Sequence, residues 1–146
     1  MGRHVANPVT RIAIAVAIVL AANAARAEIE VRRGGSAWAV IDDDGTIRIN
    51  GSVVGQVEGD GTVRKSGSVV GKVETDGTIR RAGSAVGSID RDGTLRKSGS
   101  AVGKIDGDGT IRRDGSAWGS ASHCCGDHGG KRTVAGLLAF FSGDFL

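Results

Sequence analysis

Shifting the sequence against itself by 16 residues brings Gly35-Ser36, Gly51-Ser52, Gly67-Ser68, Gly83-Ser84, Gly99-Ser100 and Gly115-Ser116 into register. The same shift superposes Asp44-Gly45-Thr46, Asp60-Gly61-Thr62, Asp76-Gly77-Thr78, Asp92-Gly93-Thr94 and Asp108-Gly109-Thr110. Five complete units run from Gly35 to Asp114, flanked by two partial ones. Glu30-Val31-Arg32-Arg33-Gly34 matches the end of a unit, and Gly115-Ser116-Ala117-Trp118-Gly119 matches the beginning of the next. Repetition at this level points to a repeat architecture.

Each unit reads as two short strands joined by two different turns, because Gly-containing dipeptides recur at fixed spacing with β-branched residues between them. In Val73-Glu74-Thr75-Asp76-Gly77-Thr78-Ile79, a three-residue loop closed by Gly77 in the left-handed conformation sets Glu74 opposite Thr78 and Val73 opposite Ile79. A two-residue Asp-Gly turn would put Ile79 opposite Glu74, so the apolar pairing selects the longer loop. The other connection, at Asn50-Gly51, Ser66-Gly67, Ser98-Gly99 and Asp114-Gly115, suits a two-residue type I′ turn, with Ala82-Gly83 the poorest fit. Counting outward from Ala82-Gly83 sets Ile79 opposite Val86. Val86 and Ile89 are three apart, which plain alternation sends to opposite faces. A β-bulge marked by Gly87, and by Gly55, Gly71 and Gly103 in the other units, restores one common face. Val70, Val73 and Ile79 and their equivalents are then expected in the core, with Arg48, Arg64, Arg80, Arg96 and Arg112 on a solvated face.

An open meander would expose two strand edges. The N-terminal partial unit supplies the strand that the C-terminal one lacks, so residues near Val31 are expected to pair with those near Trp118 and close a ring. Trp38 and Trp118 hold the same repeat position five units apart, where the internal units carry Val54, Val70, Val86 and Val102. Large residues at both ends fit a filled seam, or else the independent capping of two open ends.

The GSxVGxI…DGTIR pattern in tandem hairpins resembles that of the bacterial exported proteins called five-fold beta-flowers, over about Glu28 to Ser122. The resemblance implies a flower-like or barrel-like ring and no catalytic residues. The two partial units leave five or six radial elements open.

Arg3 and Arg11 precede the apolar run Ile12 to Ala22, and Ala25-Arg26-Ala27 places small residues where a signal peptidase cuts. The run is far shorter than the ~20 residues of a spanning helix. Residues 1–27 are therefore expected to be a signal peptide removed near Ala27, and the mature protein to be periplasmic or secreted. The formal charge of +3 resides in that leader, since Arg3, Arg11 and Arg26 precede Glu28 and every acidic residue lies at or after it. The neutral remainder gives no support to nucleic-acid binding. With aromatic residues at 3%, an aromatic-lined enzyme core is not expected.

Residues repeated in every unit serve the fold more readily than one active site. Asp106-Gly107-Asp108-Gly109-Thr110-Ile111 resembles the middle of an EF-hand loop, but Lys104 and Gly115 stand where the strongest ligands belong. Calcium is not expected. The unrepeated His123-Cys124-Cys125-Gly126-Asp127-His128 gathers thiols, imidazoles and a carboxylate suited to Zn²⁺ or Cu(I), with His123, Cys124, Cys125, Asp127 and His128 as candidate ligands. The spacing matches no standard zinc motif, and in an oxidising compartment the two cysteines instead pair with each other or between chains. Cys125 with His128 is the one nucleophile-and-base pairing available, and no catalytic triad is recognised.

Residues 123–146 thus combine a Cys/His loop with an apolar tail that holds every Phe of the chain. The tail is expected to be a short helix packed on one face of the ring. Alternatively, Leu137, Leu138, Phe140, Phe141 and Phe145 contact a membrane surface or a partner. The whole reads as an all-β, non-enzymatic structural or binding protein of the bacterial envelope, its partner an envelope protein or a second copy. The alternative is a periplasmic metal-binding protein.

Overall fold

The computed structural model describes residues 28–146; the signal peptide expected at residues 1–27 lies outside them. Twelve antiparallel strands form one closed barrel. They are β1 (Ile29–Arg33), β2 (Ser36–Ile41), β3 (Thr46–Ile49), β4 (Ser52–Val57), β5 (Thr62–Lys65), β6 (Ser68–Val73), β7 (Thr78–Arg81), β8 (Ser84–Ile89), β9 (Thr94–Lys97), β10 (Ser100–Ile105), β11 (Thr110–Arg113) and β12 (Ser116–Ala121). Each pairs with its sequence neighbours, and β1 pairs with β12 through Val31 opposite Ala121 and Arg33 opposite Gly119. The partial units complete one another as expected, and no strand of the barrel is left as an edge. Paired two by two, the twelve strands make six hairpins, so the number of radial elements is six.

One rim carries the six tight turns. Asn50, Ser66, Ala82, Ser98 and Asp114 have φ near 50°, each followed by a glycine near 85°, and Gly34-Gly35 makes the sixth. This is the type I′ geometry, which even Ala82 adopts. The opposite rim carries five three-residue loops. In the third, Gly77 N–H donates to Glu74 O at 2.9 Å and Glu74 N–H to Thr78 O at 2.8 Å, with Gly77 at φ +96°. Val73 lies opposite Ile79, the register that the apolar pairing requires.

Each strand sends one buried side chain into the lumen beside this loop rim. Ile41–Ile47, Val57–Val63, Val73–Ile79, Ile89–Leu95, Ile105–Ile111 and Ala121–Val31 are directly opposed pairs, all buried. Toward the tight-turn rim every even strand bulges, but one residue earlier than turn counting places it. Ile79 pairs with Gly87 and Arg80 with Ala85, so Val86 is the extra residue. Val54, Val70, Val86 and Val102 accordingly pack against the core while staying half-buried, rather than fully buried as expected.

The outer face is polar, and its arginines are paired. Arg32–Glu30, Arg48–Asp42, Arg64–Glu58, Arg80–Glu74, Arg96–Asp90 and Arg112–Asp106 ring the wall. Four of these arginines also donate to the carbonyl of a tight-turn glycine, Gly35, Gly67, Gly83 or Gly99. Exposed pairs of this kind stabilise little one by one. A charged wall around an apolar lumen is the reverse of the pattern in membrane barrels.

A barrel of about eight strands can fill its lumen with its own side chains, and twelve leave room for more. The C-terminal segment occupies that space. Helix α1 (His128–Leu137) continues into one π-helical turn, Leu138–Ser142. Val134, Ala135, Leu137 and Leu138 are each fully buried, and a Cβ on Gly136 would touch Val57, Val63 and Val73. The helix therefore threads the ring instead of lying on one outer face, because its segment from Val134 to Phe140 is apolar all round and only the lumen can cover every side of it. It begins at the loop rim, where Lys131 Nζ donates to Arg91 O at 3.1 Å, and reaches the tight-turn rim, where Arg81 Nη2 donates to Ala139 O at 2.8 Å.

There the bulge glycines make room for it. A Cβ on Gly55 would meet Phe141, on Gly71 Phe140, on Gly87 Leu146 and on Gly103 Phe145. Trp38 and Trp118 fill the remaining sector, edge to face with centroids 5.7 Å apart, and Phe145 packs on Trp118 at 5.4 Å. The seam is filled as the paired Trp positions predict, with the tail as part of the filling. Leu137, Leu138, Phe140 and Phe145 are buried in this arrangement and Phe141 is half-buried, so a membrane contact through them would require withdrawal of the plug.

Candidate functional site

Six hairpins need six connections at the loop rim, and the chain supplies five. At the sixth position β1 enters and β12 leaves, held together by Ser122 N–H donating to Glu30 O at 2.9 Å. The repeat symmetry is broken here, and the unrepeated residues from His123 to Thr133 lie over the gap. The departing segment crosses the mouth and caps α1 through Asp127, whose carboxylate accepts from Gly130 N–H at 2.7 Å.

Two neighbouring concavities open beside this crossing, of about 580 and 880 Å³. Ile29, His123, Gly129 and Thr133 line both. The smaller one has an apolar floor of Ile41, Val57 and Val73 from the barrel wall. Asp43 and Glu58, from the first two loops, and Arg132 also line it. Arg132 Nη1 donates to Glu74 O at 3.4 Å, while its Nε is buried with no hydrogen-bond partner among the described residues. The larger concavity is walled by His123, Cys124, Cys125, Gly126 and Asp127.

Cys124 and Cys125 are joined as a disulfide. Cys125 is 1% exposed and Cys124 is partly exposed. His123 and Cys125 both lie in the left-handed region, at φ 57° and 81°, which non-glycine residues seldom occupy. His128 turns away from the cysteines, its Nε2 3.2 Å from Ile89 O. The five candidate ligands are thus neighbours in sequence but divided in space. Disulfide sulfurs are not thiolate ligands, and among the described residues no three His, Cys, Asp or Glu side chains converge on one point. Cys125 and His128 likewise form no nucleophile-and-base pair while Cys125 is bonded to its neighbour.

The loop carboxylates have a structural task. Asp44, Asp60, Asp76, Asp92 and Asp108 each accept from the backbone N–H two residues on at 2.9 Å. That bond, together with one from the same threonine's hydroxyl, holds each carboxyl below its usual range. They serve their own turns. Reading the sequence alone misses Arg132 and Thr133, which belong to a segment it treats as the approach to an apolar tail. The signal available was the absence of a sixth loop.

No protein family, characterised protein or solved structure matches this chain.

Proposed function

We propose that this chain is an exported, non-enzymatic binding protein of the bacterial envelope, of the beta-flower type, that engages its partner at the loop rim where the sixth connection is missing. The observation that carries this reading is the concentration of His123, Asp127, Arg132 and Thr133, none of them part of the repeat, at one gap in an otherwise repeated ring. A symmetric barrel presents the same chemistry six times, whereas His123, Arg132 and Thr133 occur once and face the same opening. Binding residues are disproportionately carried by irregular segments held on a rigid scaffold. The apolar floor with flanking carboxylates and one guanidinium suits a peptide or protein segment that buries an apolar side chain and pairs its charges at the rim. The leader pattern at residues 1–27 and the disulfide support export to an oxidising compartment.

The test is retention of envelope components on the immobilised mature chain, compared with an Asp43→Arg/His123→Glu variant. Both substituted residues are exposed, so the fold should be kept. A component held by the wild type and lost from the variant supports the reading; equal retention by both overturns the assignment to this rim.

A second reading is metal binding by His123, Cys124, Cys125, Asp127 and His128, favoured by the grouping of four of them around the larger concavity. It requires prior reduction of the disulfide and rearrangement of His128. Zinc or copper content of the anaerobically reduced protein tests it, with the Cys124→Ser/Cys125→Ser variant as the control that must lose the metal.

A further inference from the structure

A disulfide fastens a fold mainly by closing a loop of chain, and its effect grows with the length of that loop. Cys124 and Cys125 are adjacent in sequence, so their bond closes no loop that the peptide link has not already fixed. Its position does not tie the tail to the barrel either, since both sulfurs belong to the same crossing segment. The bond is nonetheless placed with care. Both residues line the larger mouth concavity, but Cys124 is partly exposed and Cys125 is 1% exposed. The residue before the pair, His123, and the second member of the pair, Cys125, hold left-handed conformations, which cost energy and persist where the surroundings impose them.

We propose that Cys124–Cys125 is a redox-active disulfide that accepts two electrons from a dithiol entering the loop-rim concavity. Attack is directed to Cys124, because Cys125 is covered. An incoming thiolate forms a bond to Cys124 Sγ as the Cys124–Cys125 bond breaks, and Cys125 departs as a thiolate. The second thiolate of the incoming molecule then attacks its own sulfur in the mixed disulfide and releases Cys124. Protons from the two incoming thiols end on the two cysteines. The dithiol is oxidised to a disulfide, and the protein gains two thiols.

The pair sits where the crossing segment meets the helix. The bonded pair abuts the first turn of α1, where a Cβ on Gly130 would stand 2.8 Å from Cys125 N and 3.5 Å from Cys124 Cβ. Gly126 follows the pair directly, which leaves the crossing segment free to readjust once the bond is broken.

The experiment uses the full mature chain without denaturant. Dithiothreitol is added over a graded range, thiols are trapped by alkylation and counted by mass, and far-ultraviolet circular dichroism follows the barrel. The expected result is two alkylated cysteines with the β-spectrum unchanged. In single variants treated with glutathione disulfide, Cys125→Ser should form a mixed disulfide through Cys124 at least tenfold faster than Cys124→Ser does through Cys125. Thiols that appear only as the barrel unfolds, or equal rates in the two variants, overturn the proposal. Partner capture is scored separately, so an inert disulfide in a chain that still retains its partner would sink this inference and leave the binding reading standing.

Discussion

Trp118 Nε1 donates a hydrogen bond to Asp144 Oδ2 at 2.8 Å, joining the last strand of the barrel to the end of the tail that fills it. Arg33 of β1 meets the same carboxylate oxygen at 2.5 Å and lies over the Trp118 ring at 5.3 Å, while Arg113 of β11 donates to Asp144 O. One residue thus gathers three consecutive strands of the closed sheet, including both partners of the β1–β12 seam.

Asp144→Ala should therefore loosen tail and seam together. The substitution leaves the half-buried indole N–H without its acceptor and removes the partner of Arg33, for an expected loss of about 1–3 kcal/mol. Thermal unfolding reads the loss, and limited proteolysis should cut the tail in the variant under conditions that leave the wild type whole. A variant with unchanged melting and unchanged protection would show that the packing of Phe140 and Phe145 alone retains the plug.

The bulge glycines set how closely the tail approaches the wall. In Gly71→Ala the new methyl would stand 2.2 Å from Arg80 O and 2.4 Å from Phe140 Cζ, and one of those contacts is rigid backbone. Overpacking of this kind costs about 1–3 kcal/mol. Gly67→Ala is the informative comparison: it has open space around the new methyl, and its cost comes only from φ +84°. Urea denaturation of the two variants, with Phe140→Leu added to Gly71→Ala, should recover part of the loss at Gly71 and none at Gly67.

Ala82 holds φ 51°, a conformation that asparagine and glycine tolerate better than alanine. Ala82→Asn should stabilise the chain by about 0.5–1 kcal/mol, read as a rise in melting temperature. The same substitution at Ala85, in the adjoining strand, should not stabilise.

Acid should weaken the loop rim in a defined direction. Asp44, Asp60, Asp76, Asp92 and Asp108 are held below the usual carboxyl range by hydrogen bonds from threonine, the backbone N–H first. Their contribution is thus present above the unfolded-state value of about 3.9 and disappears as pH falls through the lower folded-state values. Stability should be flat near neutrality and decline once pH drops below about 4. Replacing all five by Asn, which keeps an oxygen acceptor for the turn but cannot titrate, should shrink that acid limb. An unchanged limb would show that the five turn carboxylates do not cause it.

Turns and closure were legible in the sequence because each rests on local chemistry: Gly77 in a three-residue loop, Ser66-Gly67 in a tight turn, and a Val31 strand with nowhere else to pair. The bulge was legible in kind but not in position, since counting from Ala82-Gly83 cannot tell whether Val86 or Gly87 is the extra residue. The pairing of Ile79 with Gly87 answers that only in three dimensions. The tail was misread because an apolar helix looks the same in sequence whether it covers a face or fills a lumen. The clue lay in arithmetic across the whole chain, in a ring too wide to be filled by valines and a single segment holding every Phe. The rim cleft was not legible, since Ile41, Glu58, His123 and Arg132 come together only once the ring is closed. The disulfide was one of the alternatives drawn from Cys124-Cys125, and its separation from His128 follows from that histidine's place as the first residue of α1.

A repeat protein can usually gain or lose units by duplication, because each added unit sees the same neighbours as the last. Here the filling is cut to one circumference. A chain with one more 16-residue unit would still close its hydrogen bonds, but its wall would recede from a tail of fixed girth, and one with a unit fewer would have no room for the helix. The C-terminal residues therefore act as a gauge of copy number, and any lineage that changes the count of hairpins must rewrite the tail along with it.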